Sequence, residues 1–376
     1  MSDRNQYALL LSGGGARAAY QLGVLKSIGT FLPRNQGLPF PIVCGNSAGA
    51  INATGLACYA SCYHLGLRKL EWVWKNFHTR QVYDSGIRDV FKHLSGNFLS
   101  SFQSEQSQKN PASLLNNQPL RRLIRSRLDF HRIDNNITRG YLRAISVNAS
   151  SYTSHDSISF YQGQSDIKPW QREKRRGVPC TLNSEHLIAS SAIPMLFPPV
   201  KMMGEYMGDG SVHQLSPLSP AIHLGAEKIL IVGVEQPEKR SRFTDIKRFP
   251  SSIAIAGHLL DTIFADTLNA DLERLTRINQ TIAHMTYKQQ QQTQLKTIDC
   301  LVVNPSINFN EMAARHFHHM PSGIKILLRM LGVHDKADTS LLSYLLFEKK
   351  FCSELIDLGM KDGLARQEEL REFLSI

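Results

Sequence analysis

Short apolar runs alternate with longer amphipathic segments over the N-terminal part of the chain. A short, continuous apolar run is typical of a buried strand, and apolar positions recurring about every 3.6 residues indicate a helix. This alternation favours a mostly parallel sheet with helices on both faces. The predicted elements are strand 7–12, helix 18–32, strand 41–45, helix 48–62 and helix 64–77.

Two polar segments interrupt the pattern further along. Residues 95–119 are rich in Ser, Asn and Gln with weak periodicity, which predicts an insertion that is a mobile lid or a disordered loop. Residues 239–250 form a basic, polar connection. The remaining predicted elements are strands 141–148, 157–161, 228–234 and 298–304, helices 251–284, 321–332, 339–358 and 364–374, and a Gln-rich spacer over 288–294.

The strand over 298–304 has the pattern of one more strand of the same sheet. We therefore expect an α/β core over 7–235 and a largely helical C-terminal extension over 236–376 that packs on it. With 376 residues, 42% of them hydrophobic, the chain is long enough to bury a large core.

No apolar stretch is long enough for a transmembrane helix. The best candidate, residues 253–268, is interrupted by His258, Asp261 and Asp266. The N-terminus lacks the longer apolar region of a signal peptide. We expect a cytoplasmic protein, and a C-terminal signal for a dedicated secretion system stays open.

A Gly-x-Ser-x-Gly segment follows the second predicted strand. Gly45-Asn46-Ser47-Ala48-Gly49 lies between an apolar strand and a small-residue helix, which is the setting of a nucleophile elbow. The glycines Gly45 and Gly49 relieve steric conflict in such a turn, and the serine lies beside a helix N-terminus, where negative charge is favoured. A small-residue turn without a ligand is the alternative for this motif taken alone.

A triple glycine follows the first predicted strand. The N–H groups of Gly13, Gly14 and Gly15 can turn inward without side chains in the way, as donors to the oxyanion of an acyl-transfer reaction require. A phosphate-binding loop would end in Lys-Ser/Thr, whereas this one continues with Arg17-Ala18. A dinucleotide fingerprint would need an acidic residue about twenty positions on, and positions 30 to 45 contain no Asp or Glu.

A third segment, Gly208-Asp209-Gly210, completes the set. Together the three segments resemble the patatin-like phospholipase family in its bacterial branch, as do the stretches 186–199 and 215–221. The resemblance runs from about Tyr7 to Val234 and more loosely through Ile376. It departs from the family at Ala18, where glycine is usual, and at Ser211, where another small residue is common.

The resemblance implies a three-layer α/β/α sandwich and lipid acyl hydrolysis, of phospholipase A or lysophospholipase type, by a serine–aspartate dyad. It implies Ser47 as nucleophile and Asp209 as base, with Gly210 in the base motif. The implied oxyanion hole is the group Gly13, Gly14, Gly15 and Arg17, in which Arg17 braces the loop. His213, four residues after Asp209, could instead complete a conventional triad, although the resemblance favours the dyad.

The net charge of +11 is concentrated in two runs, at 121–127 and 168–176. They predict either peripheral contact with an anionic membrane or ordinary solvated surfaces, and no nucleic-acid-binding signature accompanies them. The six cysteines lack a C-x-x-C pair, so Cys58 and Cys62 are expected to pack as small apolar residues. The histidines of 316–319 lack further ligands at readable spacing. We expect no cofactor and no metal.

The sequence indicates an acyl substrate but does not distinguish between the classes of acyl lipid. Phospholipid, lysophospholipid, neutral glyceride and thioester would all present an acyl carbonyl to such a site. Residues 193–197 (Ile-Pro-Met-Leu-Phe) could line an acyl channel or belong to the core. The competing hypothesis is a lipid-binding or scaffold protein with a weakly active or inactive hydrolase site. The oligomeric state stays open.

Overall fold

The structure is a computed structural model that describes residues 6–84, 113–237, 258–259, 261–263, 267–293, 295–330 and 340–376. The predicted polar insertion lies outside these residues over 95–112, as does the basic connection over 239–250. Residues 113–119 lie against the core: the backbone N–H groups of Leu114 and Leu115 donate to the carbonyls of Met195 and Leu196, each at 2.8 Å.

A mixed sheet of ten strands forms the centre of the described chain, in the order β10-β9-β1-β2-β3-β4-β6-β5, with β8 paired to β3 and β7 to β8. The five strands from β10 to β3 are parallel, and β4 runs antiparallel to β3. The strands are β1 Tyr7–Leu11, β2 Ile42–Asn46, β3 Ala144–Ser151, β4 Ser157–Gly163, β5 Trp170–Arg172, β6 Arg175–Pro179, β7 Val200–Met202, β8 Glu205–Asp209, β9 Lys228–Val232 and β10 Asp299–Val303.

Helices cover both faces of the sheet. Successive strand residues point to opposite faces: Leu9 and Leu11 pack in the cluster that contains α1, α2 and α13, whereas Ala8 and Leu10 pack with α7 and α8. The α-helices are α1 Ala19–Thr30, α2 Ala48–Cys58, α3 Tyr63–Lys75, α4 Gln118–Arg127, α5 His131–Thr138, α6 Ser184–Ser190, α7 Ser219–His223, α8 Thr267–Ala283, α9 Tyr287–Gln292, α10 Phe309–His316, α11 Ser322–Met330, α12 Ser340–Leu345, α13 Lys349–Ala365 and α14 Gln367–Leu374. The predicted three-layer sandwich with a mostly parallel sheet is confirmed.

The C-terminal region is largely helical, as predicted, and joins the core closely. Strand β10 extends the sheet by pairing with β9. Helix α13 packs along α1 with its backbone nearly in contact: a Cβ added to Gly359 would collide with the carbonyl oxygen of Tyr20, and one added to Gly23 with that of Ile356. No helix in the described ranges combines the length and apolar character that a membrane span requires.

Two predictions for this region are wrong. The predicted helix 339–358 is divided into α12 and α13 because tertiary hydrogen bonds hold the chain open between them. Glu348 is extended (φ −123°, ψ 139°), and its carboxylate accepts a hydrogen bond from the Thr79 hydroxyl at 2.7 Å. Tyr83 donates to the carbonyl of Leu345 at 2.8 Å. The predicted Gln-rich spacer contains helix α9, whose N-terminus the Thr286 side chain caps.

Candidate active site

Ser47 occupies a sharp turn between β2 and α2. Its backbone has φ 52° and ψ −128°, a conformation that costs a residue with a Cβ atom about 1–3 kcal/mol. The turn is possible because its neighbours are glycines: a Cβ at Gly45 would lie 2.6 Å from the Cα of Ala50, and one at Gly49 would collide with the carbonyl oxygen of Leu11. The backbone at Ser47 therefore makes a sharp turn from strand to helix that close packing on both sides permits only with glycine at 45 and 49.

Strand β3 brings Asp209 next to Ser47. Strand β2 pairs with one edge of β3. The last pair is Asn46 opposite Asn148, and Ser47 follows Asn46 directly in the chain. Strand β4 occupies the other edge. Strand β8 therefore continues on the edge where β2 ends, beginning with Asp209 opposite Ala149. Two segments separated by more than 150 residues thus meet at consecutive register positions of one strand.

The carboxyl group of Asp209 is fully buried. Its Oδ1 accepts a hydrogen bond from the backbone N–H of Ser211 at 3.0 Å, and its Oδ2 has no partner among the described residues. Burial raises the pKa of Asp209 to about 6, although the Ser211 N–H and the Ser47 hydroxyl lower it relative to burial alone. The Ser47 hydroxyl is therefore a neighbour of Asp209 but does not make a full hydrogen bond to Oδ2.

Ser190, at the end of α6, contacts both halves of the site. Its Oγ accepts a hydrogen bond from the backbone N–H of Ser47 at 2.9 Å, and its carbonyl accepts one from Gly210 at 3.0 Å. The Asp209 N–H donates to the carbonyl of Ala192 at 2.9 Å. The end of α6 therefore fixes the position of the Ser47 turn relative to Asp209. Sequence reasoning missed this role, because one serine among many carries no signal of its partners.

The glycine loop is buried beside the elbow. Within the described ranges, the N–H groups of Gly13, Gly14 and Gly15 donate to no backbone or side-chain acceptor. Buried N–H groups nearly always find a partner, so these donors are suited to an anionic oxygen. Gly15 has φ 55°, and a Cβ there would collide with the carbonyl oxygen of Tyr344 in α12.

Arg17 points away from the glycines into the C-terminal helices. The guanidinium donates to Ser343 Oγ at 2.8 Å, Asp261 Oδ1 at 2.8 Å and Asn310 Oδ1 at 3.0 Å. It also lies 3.8 Å above the ring of Tyr344. These contacts suit a residue that braces the loop. The sequence contained no signal for the C-terminal partners, which are more than 240 residues away.

A narrow apolar cavity of about 40 Å³ begins at Ser47 and Gly15. Of the predicted channel residues, Ile193 and Phe197 line it, Leu196 packs in the core and Met195 is 75% exposed. Helix α3 supplies further lining that sequence reasoning did not identify. The remaining lining residues are Ala48, Ile51, Leu70, Val73, Trp74, Phe77, Val82, Leu120, Ser191 and Phe347.

His213 lies in a different environment from Ser47 and Asp209. Its backbone N–H donates to Ser150 Oγ at 3.0 Å, and its ring lies 6.0 Å from that of His155. Burial, followed by the nearby charges of His155 and Lys174, lowers the pKa of His213. Its Nδ1 is buried without a partner in the described residues.

The other residues singled out from the sequence lie away from this site. All six cysteines are free thiols, and Cys62 falls beyond the end of α2. His316 bonds Glu354 at 2.5 Å. The described residues contain no group of three or more His, Cys, Asp or Glu side chains placed to hold a metal ion. In the basic runs, Arg121 and Arg125 pair with Glu185, and Arg176 pairs with Glu205.

The chain resembles two known proteins and matches the model of one protein family. The crystal structure of VipD from Legionella pneumophila aligns with 87% of this chain and 67% of that one, at a TM-score of 0.30 and 12% identity. A cGAMP-activated phospholipase of Pseudomonas aeruginosa (strain BWHPSA011 / Pa011) is 42% identical over 59 residues, which are 16% of this chain and 18% of that protein. The model of the patatin-like phospholipase family matches residues 9–222, more than half of the chain. The chain therefore belongs to the patatin-like phospholipase family.

Proposed function

We propose that this protein is a lipid acyl hydrolase, of phospholipase A or lysophospholipase type, that acts through a Ser47–Asp209 dyad. Membership of the family supports hydrolysis of lipid esters in general. The specific dyad is supported by the register of β3, along which the Ser47 turn and the buried Asp209 lie at consecutive positions, beside glycine N–H groups that have no protein acceptor among the described residues.

In the proposed reaction the Ser47 oxygen attacks the carbonyl carbon of the acyl ester while Asp209 takes the hydroxyl proton. The carbonyl oxygen becomes an oxyanion, which the N–H groups of the loop Gly13–Gly15 stabilise; one such donor is typically worth about 10²–10³ in rate. The C–O bond to the alcohol then breaks, and Asp209 returns the proton to the leaving oxygen. Water hydrolyses the acyl-serine by the same steps, with Asp209 as base.

The raised pKa of Asp209 suits this role. An ordinary aspartate, with a pKa of about 3.9, is a poor base for a hydroxyl near neutral pH. A pKa of about 6 makes Asp209 a stronger base that is still mainly ionised at pH 7. His213 has neither Ser47 nor Asp209 among its hydrogen-bond or charged neighbours in the described residues, which favours a dyad over a triad.

The cavity at Ser47 supports an acyl group as the part of the substrate that enters the protein. Its lining is almost wholly apolar, so it favours a hydrocarbon chain over a polar group. At about 40 Å³ it holds only a few atoms, so side chains such as Phe77 must move for a long chain to enter. A lipid-binding or scaffold protein would not need the strained elbow or the raised pKa of a buried carboxyl.

We further propose peripheral contact with an anionic membrane at the cytoplasmic face of the inner membrane. Two large apolar side chains near the site are exposed. Met195 lies two residues before Phe197, which lines the cavity, and Leu215 lies six residues after Asp209. Exposed Trp72, with Arg127 lying 4.5 Å over its ring, adds an aromatic and basic contact. The cytoplasmic location itself stays a prediction from the sequence.

We also propose that residues 236–376 extend the 7–235 core rather than fold separately. Strand β10 completes the sheet, and Arg17 of the core is held by Asp261, Asn310 and Ser343. A division near residue 235 would break both interactions.

Substitution Ser47→Ala tests the proposed function. It removes one oxygen, so it should abolish fluorophosphonate labelling and hydrolysis of a short nitrophenyl ester while the melting temperature stays near that of the parent. Ser27→Ala is a matched control, because Ser27 is equally buried but its hydroxyl donates to Val24 within α1 at 2.7 Å. Retained turnover in Ser47→Ala would refute the assignment. Incubation of the parent with mixed lipids, followed by mass analysis, would identify the substrate, and an absence of any product would favour the scaffold alternative.

A further inference from the structure

A second cavity, unrelated to the apolar one at Ser47, lies on the opposite face of the sheet. It is an open groove of about 340 Å³ between the β5–β6 hairpin and helices α7 and α8. Much of its lining is apolar, but it also carries Arg172 and Arg175 from the hairpin, Arg274 and Asp271 from α8, and Ser216 from the loop before α7. The proposed function uses none of these residues.

The hairpin places two like charges side by side. Arg172 and Arg175 are directly opposite each other in the antiparallel β5–β6 pair, an arrangement that destabilises a sheet. Neither has a carboxylate partner at ion-pair distance within the described ranges, although Arg176, next in sequence, has Glu205. Among the described residues, the Arg172 guanidinium donates to the carbonyl of its neighbour Gln171 alone, at 3.3 Å. The two guanidinium groups are thus available to an external anion.

Helix α8 contributes a third guanidinium, that of Arg274, and a carboxylate, that of Asp271, to the groove. Arg274 donates to Asp271 Oδ1 at 3.2 Å and to Ser216 Oγ at 3.1 Å. The other oxygen of Asp271 accepts the backbone N–H of Leu218 at 3.1 Å. Both carboxylate oxygens are therefore engaged within the wall, and the groove keeps a net positive charge.

His223, which lines the groove, belongs to an aromatic stack. His223 lies against Trp170, with ring centroids 4.8 Å apart and planes 13° from parallel, and Trp170 stacks on Tyr161 at 5.1 Å. Burial and the charges of Arg172 and Arg175 lower the pKa of His223 to about 4, so the ring is neutral at pH 7. A neutral imidazole offers both a donor and an acceptor, and it does not add to the repulsion between the arginines.

We propose that this groove is a binding site for the phosphate group of a small anionic ligand. Guanidinium groups bind phosphate through paired, charge-assisted hydrogen bonds, and a doubly charged anion would relieve the repulsion between Arg172 and Arg175. Ile222 and Leu295, which line the groove and are partly exposed, offer an apolar surface to the remainder of the ligand. The phosphate could belong to a soluble molecule or to a lipid headgroup, and the two sources are separable by experiment.

The test is binding of inorganic pyrophosphate to the full-length protein by isothermal titration calorimetry at low ionic strength. The variant Arg172→Gln/Arg175→Gln should weaken binding by at least about tenfold, as expected for the loss of two charge-assisted interactions. Lys174→Gln is the matched control: Lys174 is exposed in the same hairpin, is absent from the groove lining and has the same charge. It should bind within about twofold of the parent, because only general charge is lost.

A second arm measures sedimentation with phosphatidylcholine vesicles that contain or lack phosphatidic acid, whose phosphate monoester can carry two charges. Loss of pyrophosphate binding in the double variant with unchanged sedimentation assigns the site to a soluble ligand, and loss of phosphatidic-acid-dependent sedimentation assigns it to a headgroup. The proposal is overturned if the parent binds neither, if the double variant binds like the parent, or if Lys174→Gln loses as much as the double variant. Hydrolysis of a short nitrophenyl ester should be unchanged in all variants, so failure here is distinct from failure of the dyad.

Discussion

Replacing Asp209 with Asn should remove most of the activity and at the same time stabilise the fold. The pKa of this carboxyl is raised by burial from its ordinary value of 3.8 to about 6. The folded protein therefore favours protonated Asp209, so stability falls as the pH rises from about 3.8, where the unfolded chain ionises, to about 6, above which the loss stays constant. At 1.36 kcal/mol per pH unit, the opposing free energy is about 3 kcal/mol at pH 7 and vanishes below about pH 3.8.

Asparagine is neutral at every pH, so it avoids this penalty. Its Oδ1 can keep the hydrogen bond from Ser211, and its amide nitrogen would take the place of Oδ2, which has no donor to lose in the described residues. The nearby Ser47 oxygen can accept from that nitrogen. If it does not, an unsatisfied buried N–H costs about 1–3 kcal/mol and offsets most of the gain.

The expected change in melting temperature is measurable. At about 2.1 cal/mol/K per residue, a chain of this length has an unfolding entropy of about 0.8 kcal/mol/K, so 3 kcal/mol corresponds to an increase of about 4 °C at pH 7. The gain should shrink as the pH falls toward 4. Differential scanning calorimetry at several pH values, beside Asp166→Asn as an exposed carboxylate control paired with Arg143, would measure it.

The same variant tests the mechanism. Hydrolysis of a nitrophenyl ester should fall by at least about 10²-fold, because the general base is lost. In the parent, kcat/KM should rise with pH through a pKa near 6, since Asp209 must be ionised to act. An Asp209→Asn protein that is less stable than the parent at pH 7, or that keeps activity within tenfold, would refute this reasoning.

Three further predictions concern neighbouring residues. Ser190→Ala leaves the N–H of Ser47 without its acceptor, so kcat should fall about tenfold with little change in KM, while Ser27→Ala changes neither; a pure KM effect would contradict the positioning role. His213→Ala should reduce kcat less than tenfold, and a loss as large as that of Ser47→Ala would establish a triad instead. Phe77→Ala should shift ester preference toward longer acyl chains by enlarging the cavity, and an unchanged chain-length profile would remove Phe77 from the acyl site.

The helices and strands of the core, and the three glycine-containing segments at 13–15, 45–49 and 208–210, are recognisable from local features of the chain. Apolar runs of strand length, such as Ile229–Val232, are recognisable because both faces of a central parallel strand are buried. The elbow is equally local, since the steric conflicts that require Gly45 and Gly49 arise within a few residues and from the neighbouring strand. These features predicted the turn at Ser47 and the glycine loop, whereas the resemblance to the patatin-like family was needed to assign Asp209 to the same site.

Only the tertiary structure decided how these segments meet and what supports them. That Asp209 continues the edge of β3 where β2 ends is a matter of strand register between distant segments. The division between α12 and α13, the Ser190 contacts and the partners of Arg17 depend on hydrogen bonds across 140 or more residues. The cationic groove likewise forms only where a hairpin and α8 come together. Sequence periodicity records which residues are buried along one element, whereas the identity of the partner across space is set by packing of the whole chain.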